Sequence, residues 1–384
     1  MEVYFDNSAT TKVLDSVKDI VVKLMTEDYG NPSARHRKGM EAEQYVKKAA
    51  EIIASTLKVS PKEIVFTSGG SESNNMALIE TAMANRRRGN HIISTKIEHP
   101  SVYNPLIYLE EQGFEVTFLS VDSRGHISLE EMKEALRPET ILVSVMYVNN
   151  EVGAVEPIEE ISKIVKQHNP QTVFHVDAIQ AYGKYAIRPK KQGIDLLSVS
   201  GHKIHAPKGT GFLYIDEKVK IRPLIYGGGQ QRGLRSGTEN VPGIGGLGAA
   251  AKEMYTNHSE KVKQICDLKD YMIERLGEIE GCTVNSYRGE ESAPQIVSAS
   301  FGGCRSEVLL HALEDKGIYV SSGSACSSNH PAISGTLKGI GVKPELLDST
   351  IRFSFSIFNT KEEIDYCIET LKQLLPVLRR YQRG

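Results

Sequence analysis

Lys203 stands in SVSGHKIHAPKGTG (198–211), just past an apolar run that reads as a strand, with Ser200 and His202 beside it. Ligands of open α/β sheets bind at the carboxyl ends of strands. A lysine there is a candidate Schiff-base former, provided that desolvation or a neighbouring cation lowers its pKa. A surface lysine in a turn is the plainer reading of this segment alone. In TVFHVDAIQAYGK (172–184) a second strand ends at Asp177, and Gln180 follows one turn later. A buried carboxylate needs a partner, and a protonated pyridine nitrogen would serve. Asp is also a preferred helix N-cap. In FTSGGSESNN (66–75), Gly69 and Gly70 allow close backbone approach, and Ser71 offers a hydroxyl at a helix start, where phosphate is favoured. The same Gly-Gly-Ser is common before any helix. His99 in IEHPSV suits ring stacking or proton shuttling, or is merely structural. Asn149 and Asn150 in VNNEVG (148–153) are turn formers or polar ligands. Polar residues at four consecutive strand ends are poorly explained by structure alone.

The elements needed to carry these residues alternate along the chain. EIVFTS, NHIIST, FEVTFLSV, TILVSVMYV, TVFHVDA and IDLLSVS read as strands, with helical segments interleaved among them. That alternation predicts a mostly parallel sheet covered on both faces. GTGFLYID then reads as a strand running back. The Gly-rich stretch from Gly227 through QQRGLRSGTENVPG is too long for an ordinary connection and points to a site or interface. AAKEMYTNHSEKVKQICDLKDYMIERLGEI reads as one long helix. Beyond it IVSASF and IRFSFSIF, mixed with helical EVLLHALEDKG and KEEIDYCIETLKQLLPVLRRY, suggest a second, α+β domain.

The chain has 384 residues, 40% hydrophobic and 24% charged, with a net charge of -2. That suits a soluble globular protein of two or three domains, and without a basic excess no direct nucleic-acid partner is expected. Cys266, Cys282, Cys304, Cys326 and Cys367 include no C-x-x-C pair, which argues against a disulfide framework and a structural zinc site. No metal is expected. MEVYFDNSATTK does not read as a signal peptide, and no run reaches the roughly 18 apolar residues of a membrane span, so a cytoplasmic location is expected.

Taken in order, YFDNSATT, FTSGGSES, EHP, VNNEVG, HVDAIQ, SGHKIHAPKG, GGGQQRGLRSGTEN, SSGSACSS and IRFSF span nearly the whole chain. Together they resemble the cysteine desulfurases of the class V aminotransferase family, NifS/IscS group. The resemblance implies a fold type I pyridoxal-phosphate enzyme: a large α/β domain at 16–254 with a mostly parallel seven-stranded sheet, and a smaller α+β domain at 1–15 with 255–384. It implies that Lys203 holds pyridoxal 5′-phosphate and moves the substrate's α-proton, Asp177 pairs with the pyridine nitrogen, Gln180 bonds the ring hydroxyl, and His99 stacks on the ring. Gly70, Ser71, Ser200 and His202 would bind the phosphate, and Thr238 would reach it from the neighbouring subunit of a homodimer. Asn150 would contact cofactor and substrate, and Arg352 would grip the substrate carboxylate with its planar fork.

Cys326 decides the expected reaction. SSGSACSSNHPAISG (321–335) is small and polar, a composition expected of a mobile loop, whereas a core thiol sits among apolar neighbours. The implied activity converts L-cysteine to L-alanine and leaves the sulfur as a persulfide on Cys326. Ser71 stands where relatives often carry threonine, which keeps the hydroxyl. The chain stops at VLRRYQRG, short of the extension some relatives use to dock an iron–sulfur scaffold. The acceptor is therefore either such a scaffold or a tRNA or cofactor thiolation enzyme. Rival readings are a selenocysteine lyase, another class V enzyme, or a silent homologue that acts as a binding partner.

Overall fold

The computed structural model describes residues 1–322 and 334–381. Its largest sheet has seven strands in the order Ile64–Thr67, Gly211–Ile215, Leu196–Ser200, Val173–Asp177, Thr140–Met146, His91–Thr95 and Glu115–Leu119. The five strands from Leu196–Ser200 to Glu115–Leu119 pair in parallel. Gly211–Ile215 runs antiparallel to both its neighbours, as the strand expected to run back.

Successive side chains of a strand face opposite ways, so a sheet covered on both sides needs apolar residues at both parities. Val143, Phe174, Val176, Leu197, Val199, Phe212 and Tyr214 enter one apolar core, together with residues from the helices Arg37–Leu57, Ile158–His168 and Val241–Tyr255. The intervening Leu142, Val173, Leu196 and Leu213 enter a second core with Met76, Val102 and Leu106. This double covering is why the strands read as continuous apolar runs.

A separate core lies around a four-stranded antiparallel sheet ordered Ser321–Ser322, Thr350–Ser354, Ile296–Phe301, Cys282–Val284. The helix Lys361–Tyr381 buries Ile364, Cys367, Ile368, Leu371 and Leu375 against it, the spacing of one helical face. Val3 and Phe5 belong to this core, and Val3–Tyr4 pairs in parallel with Ile318–Tyr319. The segment expected as one long helix is two, Val241–Tyr255 and His258–Leu276. Thr256 is extended and Asn257 takes a left-handed conformation at φ 50°, which asparagine tolerates better than most residues. Helical periodicity continues across this break, so the apolar pattern alone hides it.

The Gly-rich stretch is irregular apart from a short turn at Gln231–Gly233. Gln231 ties it to the large sheet, its side-chain oxygen accepting from the Phe66 N–H at 2.8 Å, and Arg235 ties it to the helix Gly70–Asn75 through an ion pair with Glu72 at 2.8 Å.

Candidate active site

The strand ends converge on a cavity of about 360 Å³. Gly70, Ser71, His99, Asn150, Asp177, Gln180, Ser200, His202, Lys203 and Arg352 all line it. Among the described residues, one sequence-predicted position is not among its walls. Thr238 is exposed on the Gly-rich stretch, and Cys326 lies outside the described residues.

The floor is built from adjoining strands. Asp177 closes Val173–Asp177, beside Met146 on one neighbouring strand and Ser198 on the other. No helix follows Asp177, so the capping alternative fails. Its Oδ1 accepts from the Ile179 N–H at 3.0 Å and its Oδ2 from Asn74 Nδ2 at 2.9 Å. Burial pushes this carboxyl above its ordinary range, against the opposing pull of the Ile179 N–H, His99, Asn74 and Lys203. A carboxylate held this way is stabilised by any further donor or cation that reaches it.

His99 caps the helix Pro100–Glu111, with Pro100 at the first helical position. Its Nδ1 accepts from the Ser101 N–H at 3.1 Å and lies 2.8 Å from Ser101 Oγ. Burial holds the imidazole below its ordinary pKa, with Asp177 raising it and Lys203 lowering it. The ring is therefore neutral near pH 7. Asp177, His99 and Lys203 are thus close enough to bias one another's charge.

Lys203 follows the Leu196–Ser200 strand in a short 3₁₀ turn, Gly201–Lys203. Its Nζ donates to the carbonyls of Ser8 and Ala9, the latter at 2.7 Å. Gln180 Nε2 also donates to the Ser8 carbonyl, at 3.0 Å. Beneath the turn, the buried amine of Lys184 donates to the Lys203 carbonyl at 2.7 Å, and burial lowers it to about 7. Burial, followed by the charges of Lys203, Lys208 and Lys184, brings His202 down to about 4.

The remaining wall comes from the smaller sheet. Arg352, only 7% exposed, donates through Nη1 to the Asn150 carbonyl at 2.8 Å. Its Nη2 pairs with Asp6 Oδ1 at 2.9 Å. Asp6, Ser8 and Ala9 were not predicted as site residues, although YFDNSATT was a recognised segment. Asn74, Ser101 and Lys184 were missed as well. All six lie in or beside segments already singled out, but nothing local in those segments says which distant side chains they meet.

The donor set suits pyridoxal phosphate. A buried carboxyl seeking a donor matches a ring N–H, a primary amine matches an aldehyde, and a neutral imidazole matches a flat ring. Ser8 Oγ is buried with no hydrogen-bond partner among the described residues, so the pocket retains polar capacity for a ligand. At Gly70 a Cβ would meet Ile179 Cδ1 at 2.2 Å, so a larger residue there would displace the Ile179 side chain that shares the cavity wall. Backbone N–H groups at the helix start that Gly70 opens favour a phosphate.

Comparison with known proteins gives a consistent result. The model of the class-V aminotransferase family matches residues 3–367. A protein named cysteine desulfurase IscS from Dictyoglomus turgidum is 40% identical over 379 residues, covering 98% of this chain and 95% of that protein. A solved structure described as a NifS-like protein superposes with a TM-score of 0.93 at 41% identity, covering 98% of this chain and 100% of the other. Another, described as SspA in complex with cysteine, gives a TM-score of 0.82 at 34% identity over 94% of this chain and 100% of its own.

Proposed function

The chain belongs to the class-V aminotransferase family, and from that premise we propose that it is a pyridoxal-phosphate-dependent cysteine desulfurase. It converts L-cysteine to L-alanine and carries the sulfur away as a persulfide on Cys326. The observation that carries this reading is the shared cavity wall of His99, Asp177 and Lys203, with Arg352 on the opposite sheet.

Pyridoxal phosphate supplies an aldehyde for the amine and a ring that takes up the electrons freed when the α-proton leaves. Lys203 Nζ would hold the cofactor through its aldehyde and would be the base for the substrate's α-proton. Asp177 would pair with the ring nitrogen and favour its protonated form, and Gln180 would meet the ring hydroxyl. His99 packs against the ring. Gly70, Ser71, Ser200 and His202 hold the phosphate, with Thr238 of a second copy completing the site in a homodimer. The exposure of Thr238 on a stretch that also presents Tyr226 to solvent supports that arrangement. Arg352 and Asn150 hold the substrate carboxylate, a task for which a guanidinium already fixed by Asp6 is preorganised. The Cys326 thiolate forms an S–S bond with the substrate sulfur as the substrate's Cβ–S bond breaks. The Cβ–S electron pair stays with the substrate, whose Cβ takes up a proton and whose α-carbon regains one, so alanine leaves and the sulfur remains on Cys326 as a persulfide.

The same reading divides the chain into a cofactor domain, 16–254, and a smaller domain, 1–15 with 255–384, and the separate apolar cores support it. The sulfur acceptor is an iron–sulfur scaffold or a tRNA or cofactor thiolation enzyme, and the location is cytoplasmic. Among the described residues no helix is long and apolar enough to cross a membrane, which agrees with that location without establishing it.

Incubation of the purified protein with L-cysteine is expected to yield alanine together with a mass increase of one sulfur on Cys326. Cys326→Ser is expected to retain the bound cofactor's absorbance but release no sulfide. A keto acid product, or full sulfide release by that variant, would overturn the assignment.

A further inference from the structure

We propose that Asn74 and Ser101 are positioning residues that fix His99 as the Nε2–H tautomer, tying the orientation of the imidazole's proton to the carboxylate at Asp177. The proposal rests on the functional reading above. The geometry is a continuous chain of short contacts. Asn74, fully buried, places Nδ2 2.9 Å from Asp177 Oδ2 and 2.9 Å from Ser101 Oγ. Ser101 Oγ lies 2.8 Å from His99 Nδ1, and the Ser101 N–H donates to that same nitrogen at 3.1 Å.

The chemistry of these groups sets the direction of every bond. An ionised carboxylate only accepts, and an amide NH₂ only donates. Both Asn74 hydrogens are therefore committed, one to Asp177 and one to Ser101. A flipped amide would put its oxygen against the carboxylate, so the observed orientation is the favourable one. Ser101 Oγ accepts from Asn74, which frees its own hydrogen for His99 Nδ1. Two donors then converge on Nδ1, leaving that nitrogen no room for a proton. The ring proton sits on Nε2, and any proton that His99 exchanges during the reaction is exchanged there.

Burial and the charge on Lys203 favour the same neutral ring, while Asp177 opposes them. These charges act on whether the ring is protonated. The choice of nitrogen belongs to the hydrogen-bonded chain. Burial alone favours the neutral carboxyl at Asp177, and the protonated pyridine nitrogen of bound pyridoxal phosphate would keep it ionised, so in the holoprotein the sense of the chain would be set at the floor of the cavity and read out at His99.

The test uses purified full-length holoprotein labelled with ¹⁵N-histidine, with His99 assigned by comparison with His99→Gln. The expected spectrum has a pyrrole-type Nε2 and a pyridine-type Nδ1. In Ser101→Ala one donor to Nδ1 is lost, so the His99 titration is expected to move up by about one pH unit, the equivalent of one hydrogen bond. Ser101→Thr is expected to restore it. Asn74→Ala is expected to shift His99 in the same direction and also to move the pH dependence of the bound cofactor's absorbance, because Asp177 loses a donor. A proton on Nδ1 in the unmodified protein, or an unchanged titration in Ser101→Ala, would overturn the proposal. If Asn74→Ala does not fold, the Ser101 pair decides alone. Failure to form alanine and persulfide would strike the functional reading while leaving these spectra unaffected.

Discussion

The seven-stranded sheet and the four-stranded sheet furnish the cavity by different means. The larger presents its groups at or just past strand ends, at Asp177, Ser200 and Lys203, and packs polar partners such as Asn74 and Lys184 tightly around them. The smaller presents Arg352 from the middle of Thr350–Ser354 and relies on partners from distant chain, Asp6 and the Asn150 carbonyl. One region is a floor of strand ends, and the other is an arm that reaches across to the larger domain through the Asn150 carbonyl. Changes to the floor should therefore strike cofactor chemistry, and changes to the arm should strike substrate binding.

The largest effect is expected at the floor. Lys203→Ala removes both the cofactor anchor and the base for the α-proton, so turnover should fall by about 10⁴-fold or more, with loss of the lysine-linked absorbance. Cysteine turnover within ten-fold of the parent enzyme would break the contrast at its strongest point.

Arg352→Ala tests the arm. Loss of a charge-assisted carboxylate contact should reduce kcat/KM about 100-fold, chiefly through KM, while the cofactor's absorbance stays unchanged. Arg352→Lys should recover part of the loss, because an ammonium keeps the charge but lacks the bidentate fork. A variant that instead loses cofactor would show that arm and floor are one unit.

The smallest effect separates the two regions by pH. On the larger unit, Glu156 is buried, with Oε2 accepting from the Ile127 N–H at 3.2 Å and Oε1 unpartnered among the described residues. Burial pushes it from 4.5 up to about 8. The folded chain holds a proton there that the unfolded chain has released, so stability present below pH 4.5 is lost as the pH rises to about 8. In the smaller unit Lys269 donates to Ser292 Oγ at 2.6 Å and the Ala293 carbonyl at 2.8 Å, and burial lowers it from 10.5 to about 8. Its contribution runs the other way, present above pH 10.5 and lost as the pH falls to about 8. Denaturant unfolding should show Glu156→Gln gaining about 3 kcal/mol over the parent between pH 5 and pH 8. Lys269→Met should flatten the alkaline slope alone. Identical pH profiles for parent and variants would remove this distinction.

The fold was legible because both sheet faces are covered, which leaves a sequence signal of alternating strands and helices. The strand-end residues were legible for the same reason, since Asp177 and Lys203 interrupt apolar runs. Asn74 and Ser101 were not, because each looks like an ordinary helix-start residue until two helices are brought side by side over Asp177. Asp6 and Ser8 act through residues that lie far along the chain, a relation that no local pattern encodes. The break at Asn257 is a backbone conformation that leaves the apolar periodicity intact. The Cys326 segment lies outside the described residues, so its reading still rests on composition and resemblance.

The reach from Ser8 and Ala9 to Lys203, and from Asp6 to Arg352, has a consequence for biosynthesis. Contacts that span so much chain cannot close until both ends are available, which places them late in folding. During translation the lysine leaves the ribosome well before the arginine and the segment bearing Cys326. A partly made chain thus holds the residues of the floor before it has the arginine for the substrate carboxylate or the thiol for its sulfur.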